Sequence, residues 1–167
     1  LDRAGEMETI IRKIEEVTAD FEGDLIMNGD DPNVVRIANH AKKAKVHFFS
    51  VGKNDVSQKT TNEASEGKFC PDCGARLVYD YSHIGRFVCP SCQFGKISPY
   101  TYVSEIDYQN QTFTVDGVKY HSFMNTIYAI YNCAVVLTVM RLLDLDLQAA
   151  NTVFKTFSMK EGRNEVF

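Results

Sequence analysis

The run Asp24-Leu25-Ile26-Met27-Asn28-Gly29-Asp30-Asp31-Pro32 decides how the chain is read. Three apolar residues between polar ends make a short buried strand, and Gly29 with the two aspartates ends it. Pro32 suits the first turn of a helix, where its missing N–H leaves no bond unmade. Asp31 is placed to cap that helix. Val34, Val35, Ile37, Ala38 and Ala41 form its apolar side, and Lys45 to Val51, with Val46, Phe48 and Phe49, reads as a second strand. Upstream, Ile10, Ile11, Ile14 and Val17 make one stripe of an amphipathic helix from Met7 to Thr18, broken by Gly23. Helix–strand–helix–strand with short joints predicts an α/β fold, a parallel sheet covered by helices. Ligands enter such a sheet at the carboxyl ends of its strands, where Asn28, Asp30 and Asp31 lie. The same run also reads as a plain turn and helix cap.

Residues 54–67 are polar with little to bury, a connector. Beyond a cysteine-rich stretch, Tyr100 to Asp107 and Thr112 to Val115 alternate as strands around Tyr108-Gln109-Asn110. Asp116-Gly117 signals a tight turn before Val118 to Ser122. This antiparallel meander is distinct from the parallel pattern of the first half. Ile127 to Leu143 is apolar around most of its circumference and is expected to be a buried helix. A shorter helix, Asp146 to Phe154, would turn Leu147, Ala150, Val153 and Phe154 to the core. Residues 158–165 are polar and add no element.

The cysteines are spaced Cys70-x2-Cys73, fifteen residues, Cys89-x2-Cys92, each pair reading Cys-Pro-x-Cys. Two residues between thiolates let one tight turn present both sulfurs to the same metal, and nearby N–H groups can spread their charge. The interval can form a hairpin, with Leu77, Val78, Tyr79, Phe87 and Val88 as its strands. Four soft ligands with no open position predict a tetrahedral, structural Zn²⁺ in a ribbon spanning 68–97. Disulfides or an iron centre are the other readings of this spacing. His83 lies between the pairs as a surface residue. Cys133 reads as a small buried hydrophobe.

The 167 residues, 44% hydrophobic, allow one compact core plus a satellite module. A formal charge of -4 argues against a general nucleic-acid binder. In the ribbon, Lys68, Arg76, Arg86 and Lys96 oppose Asp72 and Asp80, and Tyr79, Tyr81 and Phe87 offer rings. An interaction module for protein or nucleic acid is therefore the non-enzymatic alternative. The stretch Ile127 to Met140, interrupted by Asn132, Cys133 and Thr138, is too short for a membrane span. Without a charged-then-apolar leader, and with cysteines paired as for metal, a reducing, cytoplasmic location is expected. Leu1 in place of an initiator methionine suggests a piece of something longer.

The order of several segments resembles a known family. Leu1-Asp2-Arg3-Ala4-Gly5-Glu6 resembles the Leu-Asp-Arg-x-Gly-Glu segment in the central domain of Mur-ligase-like proteins, and Met27 to Pro32 their Leu-Asn-x-Asp-Asp-Pro strand end. Tyr131-Asn132 and the following helix resemble the Tyr-Asn-x-x-Ala-Ala helix, and Gly162-Arg163-Asn164-Glu165 the closing Gly-Arg-x-Glu segment. A four-cysteine ribbon between the second and third of these is similar to one branch, the Mur-ligase-like subunit of lipid II isoglutaminyl synthase. The resemblance implies a partial central domain over 1–53 and 98–167, with a parallel sheet, antiparallel strands and the ribbon inserted.

That family implies ATP- and Mg²⁺-dependent amidation of the D-glutamate α-carboxylate of the lipid II stem peptide. A glutaminase partner supplies the ammonia, no nucleic acid is involved, and the membrane is approached only through the lipid-linked substrate. A Mur-type amide ligase for another substrate is a further alternative. The resemblance implies that Asn132 lies against the nucleotide base. Ala129 stands where the family often has another asparagine. Arg163 is implied near phosphate or ribose oxygens, with Glu165 organising it, and Asn28, Asp30 and Asp31 shape the nucleotide cleft. No Gly-x-x-x-x-Gly-Lys-Ser/Thr loop occurs in the sequence. The phosphate loop and the substrate-side domain are therefore expected outside these residues, and the isolated chain is expected to be inactive.

Overall fold

A computed structural model describes residues 3–55, 57, 67–80 and 85–157. Helix α1 (Arg3–Thr18), strand β1 (Asp24–Asn28), helix α2 (Pro32–His40) and strand β2 (Lys45–Val51) follow in the predicted order. The hairpin β3 (Val78–Tyr79) and β4 (Phe87–Val88) comes next, then β5 (Thr101–Asp107), β6 (Thr112–Val115), β7 (Val118–His121), α3 (Ile127–Leu142) and α4 (Leu147–Thr156). The fold is α/β, with a mixed parallel and antiparallel sheet.

One sheet of order β1-β2-β5-β6-β7 holds all the strands except the hairpin. β1, β2 and β5 are parallel, while β5, β6 and β7 form the antiparallel meander. The antiparallel meander thus continues the parallel strands of the first half within one sheet. Phe49, Ser50 and Val51 of β2 pair with Thr101, Tyr102 and Val103, and this register joins the halves. Strand periodicity reports which faces are covered and says nothing of which edge is paired. Asp116 and Gly117, with φ of 50° and 78°, make the tight turn of the β6–β7 hairpin.

Side-chain alternation sends Phe48 and Phe49 to opposite faces of the sheet. Phe49, Val51, Val103, Phe113, Val115 and Tyr120 meet Ile130, Cys133, Ala134 and Leu137 of α3, with Ala150 and Phe154 of α4 behind them. Phe48 instead faces Val35 of α2 and the cysteine module. Helix α3 is less enclosed than its composition suggested. Tyr128, Asn132 and Val136, one turn apart, are exposed on a single side. In α4, Val153 is likewise exposed rather than in the core, because Ala150 and Phe154 take the inward positions.

The expected apolar stripe of α1 also fails to become core. Ile11 is buried, but Ile10, Ile14 and Val17 are exposed. The reason is electrostatic. Arg36 of α2 donates to Glu8 at 2.8 Å and to Glu15 at 2.7 Å. Glu8, Ile11 and Glu15 share a face, so satisfying the guanidinium turns that face inward and leaves the 10–14–17 stripe outside.

Candidate metal centre and the carboxyl end of the sheet

Each cysteine pair sits in a knuckle built the same way. The N–H of Cys70 donates to the Ala75 carbonyl at 2.7 Å, and that of Cys89 to the Phe94 carbonyl at 2.9 Å, five residues on in both cases. Gly95 has φ +84°, and a Cβ there would lie 2.7 Å from the Phe87 carbonyl, so the second knuckle requires glycine. The β3–β4 hairpin pairs Val78 with Val88 and Tyr79 with Phe87, which draws the knuckles together.

The four sulfurs lie within 4.8 Å of one another. Cys70 and Cys92 are 3.7 Å apart, and Cys73 and Cys89 3.5 Å. Sulfurs at the corners of a tetrahedron around Zn²⁺ stand about 3.8 Å apart, given a metal–sulfur bond of about 2.3 Å. These are non-bonded distances, so the cysteines are free thiols and not disulfides. The cluster can hold a soft metal ion and leaves no fifth donor beside it among the described residues. Burial raises the Cys89 thiol, but the Ser91 N–H and the thiols of Cys73 and Cys92 outweigh it and bring it to about 7. In Cys92 the Phe94 N–H pulls the other way, but burial and the Cys89, Cys70 and Cys73 thiols push it up to about 12, so the low value belongs to the cluster sharing charge and not to Cys89 alone.

The module is seated on the sheet. Cys70, Leu77, Phe87, Cys89 and Phe94 share one apolar cluster with Val35 of α2, and Phe48 and Ile97 pack against it. Phe87 is buried, with its ring between those of Tyr79 and Phe94, and cannot offer a face to a nucleic-acid base. The Tyr79 hydroxyl donates to the Gly67 carbonyl. Tyr81 and His83 lie outside the described residues. A Cβ on Gly29 would come within 2.1 Å of Ile97, so the ribbon lies directly against the end of β1.

At that end the three expected residues have distinct structural duties. Asn28 Oδ1 accepts from the Asp30 N–H at 2.9 Å and shapes the turn. Asp31 caps α2, accepting from the N–H groups of Asn33 and Val34. Asp30 is 1% exposed and accepts three bonds: from Ser50 Oγ at 2.5 Å, the Val51 N–H at 2.7 Å and the Tyr131 hydroxyl at 2.7 Å. Burial pushes its pKa up, against the opposing pull of these donors. A cavity of about 310 Å³ opens beside it, lined by Gly29, Asp30, Ser50, Arg86, Ile97 and Tyr102.

Tyr131 is the residue that sequence reasoning missed. It ties α3 to the end of β1, and its signal was a phenol in an apolar helix, which needs a buried partner. Its neighbour Asn132 is exposed on the other side of the helix and does not join that network. Arg163 and Glu165 lie outside the described residues. Cys133 is buried, and burial pushes its thiol up to about 11. No described helix is long and apolar enough to cross a membrane.

No protein-family model matches the chain. Curated relatives do. The chain is 28% identical over 171 residues to the Staphylococcus aureus (strain COL) protein described as lipid II isoglutaminyl synthase (glutamine-hydrolyzing) subunit MurT, covering 100% of this chain and 38% of that one. The Streptococcus pneumoniae protein of the same description is 27% identical over 184 residues, with the same coverage. The chain therefore spans well under half the length of these relatives. A pseudomurein peptide ligase type C from Methanothermus fervidus superposes with a TM-score of 0.64 at 23% identity, over 85% of this chain and 29% of that one. That likeness is one of fold. Similarity along the whole chain, together with the mixed sheet and the clustered cysteines, makes this a distant homologue of the Mur-ligase-like proteins.

Proposed function

We propose that the chain is part of the ATP-dependent amide ligase that converts the D-glutamate of the lipid II stem peptide to D-isoglutamine. The observation that carries this reading is the position of the four-cysteine cluster. It lies between β2 and β5 and rests on the strand end that bears Asn28, Asp30 and Asp31. The similarity to the two subunits named above supports it.

The chemistry requires an activated acid. The α-carboxylate attacks the γ-phosphorus of ATP and releases ADP, and ammonia then attacks the acyl carbon as inorganic phosphate leaves. In this reading Asn132, exposed on α3, meets the adenine, since an amide both donates and accepts there. Arg163 binds phosphate or ribose oxygens. The end of β1 forms one wall of the cleft, built by Asn28, Asp30 and Asp31. Mg²⁺, the phosphate loop, the substrate-side domain and the surface for the glutaminase partner belong to the complete subunit, working in the cytoplasm beside the membrane that carries its substrate. The ribbon, 68–97, is a structural zinc module inserted into the central domain of 1–53 and 98–167, with 54–67 as its linker. Zn²⁺ bound there would cross-link the two knuckles through Cys70, Cys73, Cys89 and Cys92.

The test is amidation of lipid II by the complete subunit with its glutaminase, read by mass spectrometry of the stem peptide. Product should require both ATP and glutamine and should be lost with Asn132→Ala. An ATP-independent product, or none from the complete subunit with ATP and glutamine, would refute this assignment, whereas amidation by the isolated 167-residue chain would overturn only its expected inactivity.

A further inference from the structure

A second cavity, of about 390 Å³, lies between the 108–111 turn, the end of β7 and the last turn of α4. Because β7 runs parallel to β5, this cavity opens at the same carboxyl edge of the sheet as Asp30, but it shares no lining residue with the cavity there. Its walls include Gln109, Gln111, His121, Phe123, Lys155 and Phe157.

The polar groups here are underused. The backbone N–H of His121 donates to Asn151 Oδ1 at 2.9 Å, which fixes the strand end. Its ring Nδ1, by contrast, is buried without a hydrogen-bond partner among the described residues. Buried polar atoms are seldom left so. No hydrogen bond anchors the ring through that nitrogen, so a ligand that draws it round supplies a bond the free protein lacks. Lys155 forms no ion pair with a carboxylate among the described residues. Gln111 is held at φ +51°, unusual for a residue with a side chain, and its carbonyl accepts from the Ser122 N–H at 2.7 Å. Asn110 is occupied by Asp107, whereas Gln109 and Gln111 have no side-chain bond among the described residues. The rings of Phe123 and Phe157 meet edge to face at 5.3 Å and supply an apolar wall.

We propose that this cavity binds a small organic anion, its carboxylate or phosphate on Lys155 and His121 and its ring or apolar body on Phe123 and Phe157. An ammonium and an imidazole can both donate to an oxyanion, and two carboxamides can adapt to neighbouring hydroxyl or amide groups. The inference stands apart from the ligase assignment, and failure of one leaves the other intact.

The test is a heteronuclear NMR titration of the isotope-labelled chain with benzoate and with phenyl phosphate, against sodium chloride at matched ionic strength. The two anions separate a carboxylate headgroup from a phosphate one. At least one should shift the His121 ring and residues 109–111 saturably at millimolar concentration. Lys155→Met and His121→Gln should each weaken that binding about tenfold or more. Lys155 is exposed, so its replacement leaves folding untouched. Acetate and inorganic phosphate, which lack the ring, should bind more weakly than their ring-bearing counterparts. Absence of a saturable shift from both ring-bearing anions would overturn the proposal. So would equal binding by either variant, or by the ringless anions.

Discussion

Asp30→Ala should be among the most damaging single substitutions in the chain. It removes the acceptor that the Ser50 hydroxyl, the Val51 N–H and the Tyr131 hydroxyl share in a buried site. Each buried donor left unpaired costs about 1–3 kcal/mol. Removing the poorly solvated carboxylate returns part of this, so a net loss of about 3–5 kcal/mol is expected. At about 2–4 °C per kcal/mol for a chain of this size, the melting midpoint should fall by about 10 °C. Asp30→Asn should be milder, at about 1–2 kcal/mol, since Ser50 can rotate to accept from an amide N–H while the remaining carbonyl keeps Val51 and Tyr131. Tyr131→Phe should cost about 1 kcal/mol in the parent and less once Asp30 is alanine. The sign with pH follows from burial. The folded chain holds the Asp30 proton to higher pH than the unfolded chain does, so stability falls as pH rises from the ordinary carboxylate value to the raised one. Asp30→Asn should remove that slope. Urea unfolding followed by far-UV circular dichroism is the assay, since the chain has no tryptophan. An Asp30→Ala chain within about 0.5 kcal/mol of the parent would refute the reasoning. So would a Tyr131→Phe cost that is equal in both backgrounds.

Metal analysis of reduced, chelator-free protein should return about one zinc per chain, and Cys89→Ser should lower both metal content and stability; a metal-free, fully folded parent would remove the ribbon reading. Arg36→Met should cost about 1–2 kcal/mol, a figure reduced because water reaches Glu8. The hydrogen bond from Arg36 lowers Glu8 to about 2, so this contribution is complete above its ordinary value of 4.5 and is lost as pH falls towards 2; an acid limb unchanged in the Met variant would count against it. Gly29→Ala should destabilise by about 1–3 kcal/mol through its clash with Ile97. The loss should shrink when Ile97→Ala is added, and strictly additive effects would disprove that contact.

Local chemistry made much of this legible in advance. Pro32 and Asp31 announce the start of α2, Asp116-Gly117 announces a hairpin, and two Cys-x2-Cys pairs announce a shared ligand set, because each acts over a few residues. What stayed hidden depends on partners far along the chain. The pairing of β5 with β2 joins segments separated by the whole ribbon. The inward face of α1 is chosen by Arg36, eighteen residues beyond its end, and not by its isoleucines. Asp30 looked like an open cleft residue until Ser50, Val51 and Tyr131 closed around it.

The seat of the ribbon has a consequence for the energetics of the whole chain. Val35 and Phe48 belong to the sheet and α2, yet they share an apolar cluster with Cys70 and Cys89. An ion held by those thiols is therefore coupled to the sheet as well as to the hairpin. Because only the folded form assembles the four sulfurs, the population of intact molecules follows the free concentration of that ion, rising logarithmically in free energy once it exceeds the dissociation constant. Metal supply then becomes a thermodynamic input to the shape of the strand ends, although the ion itself lies in a separate module.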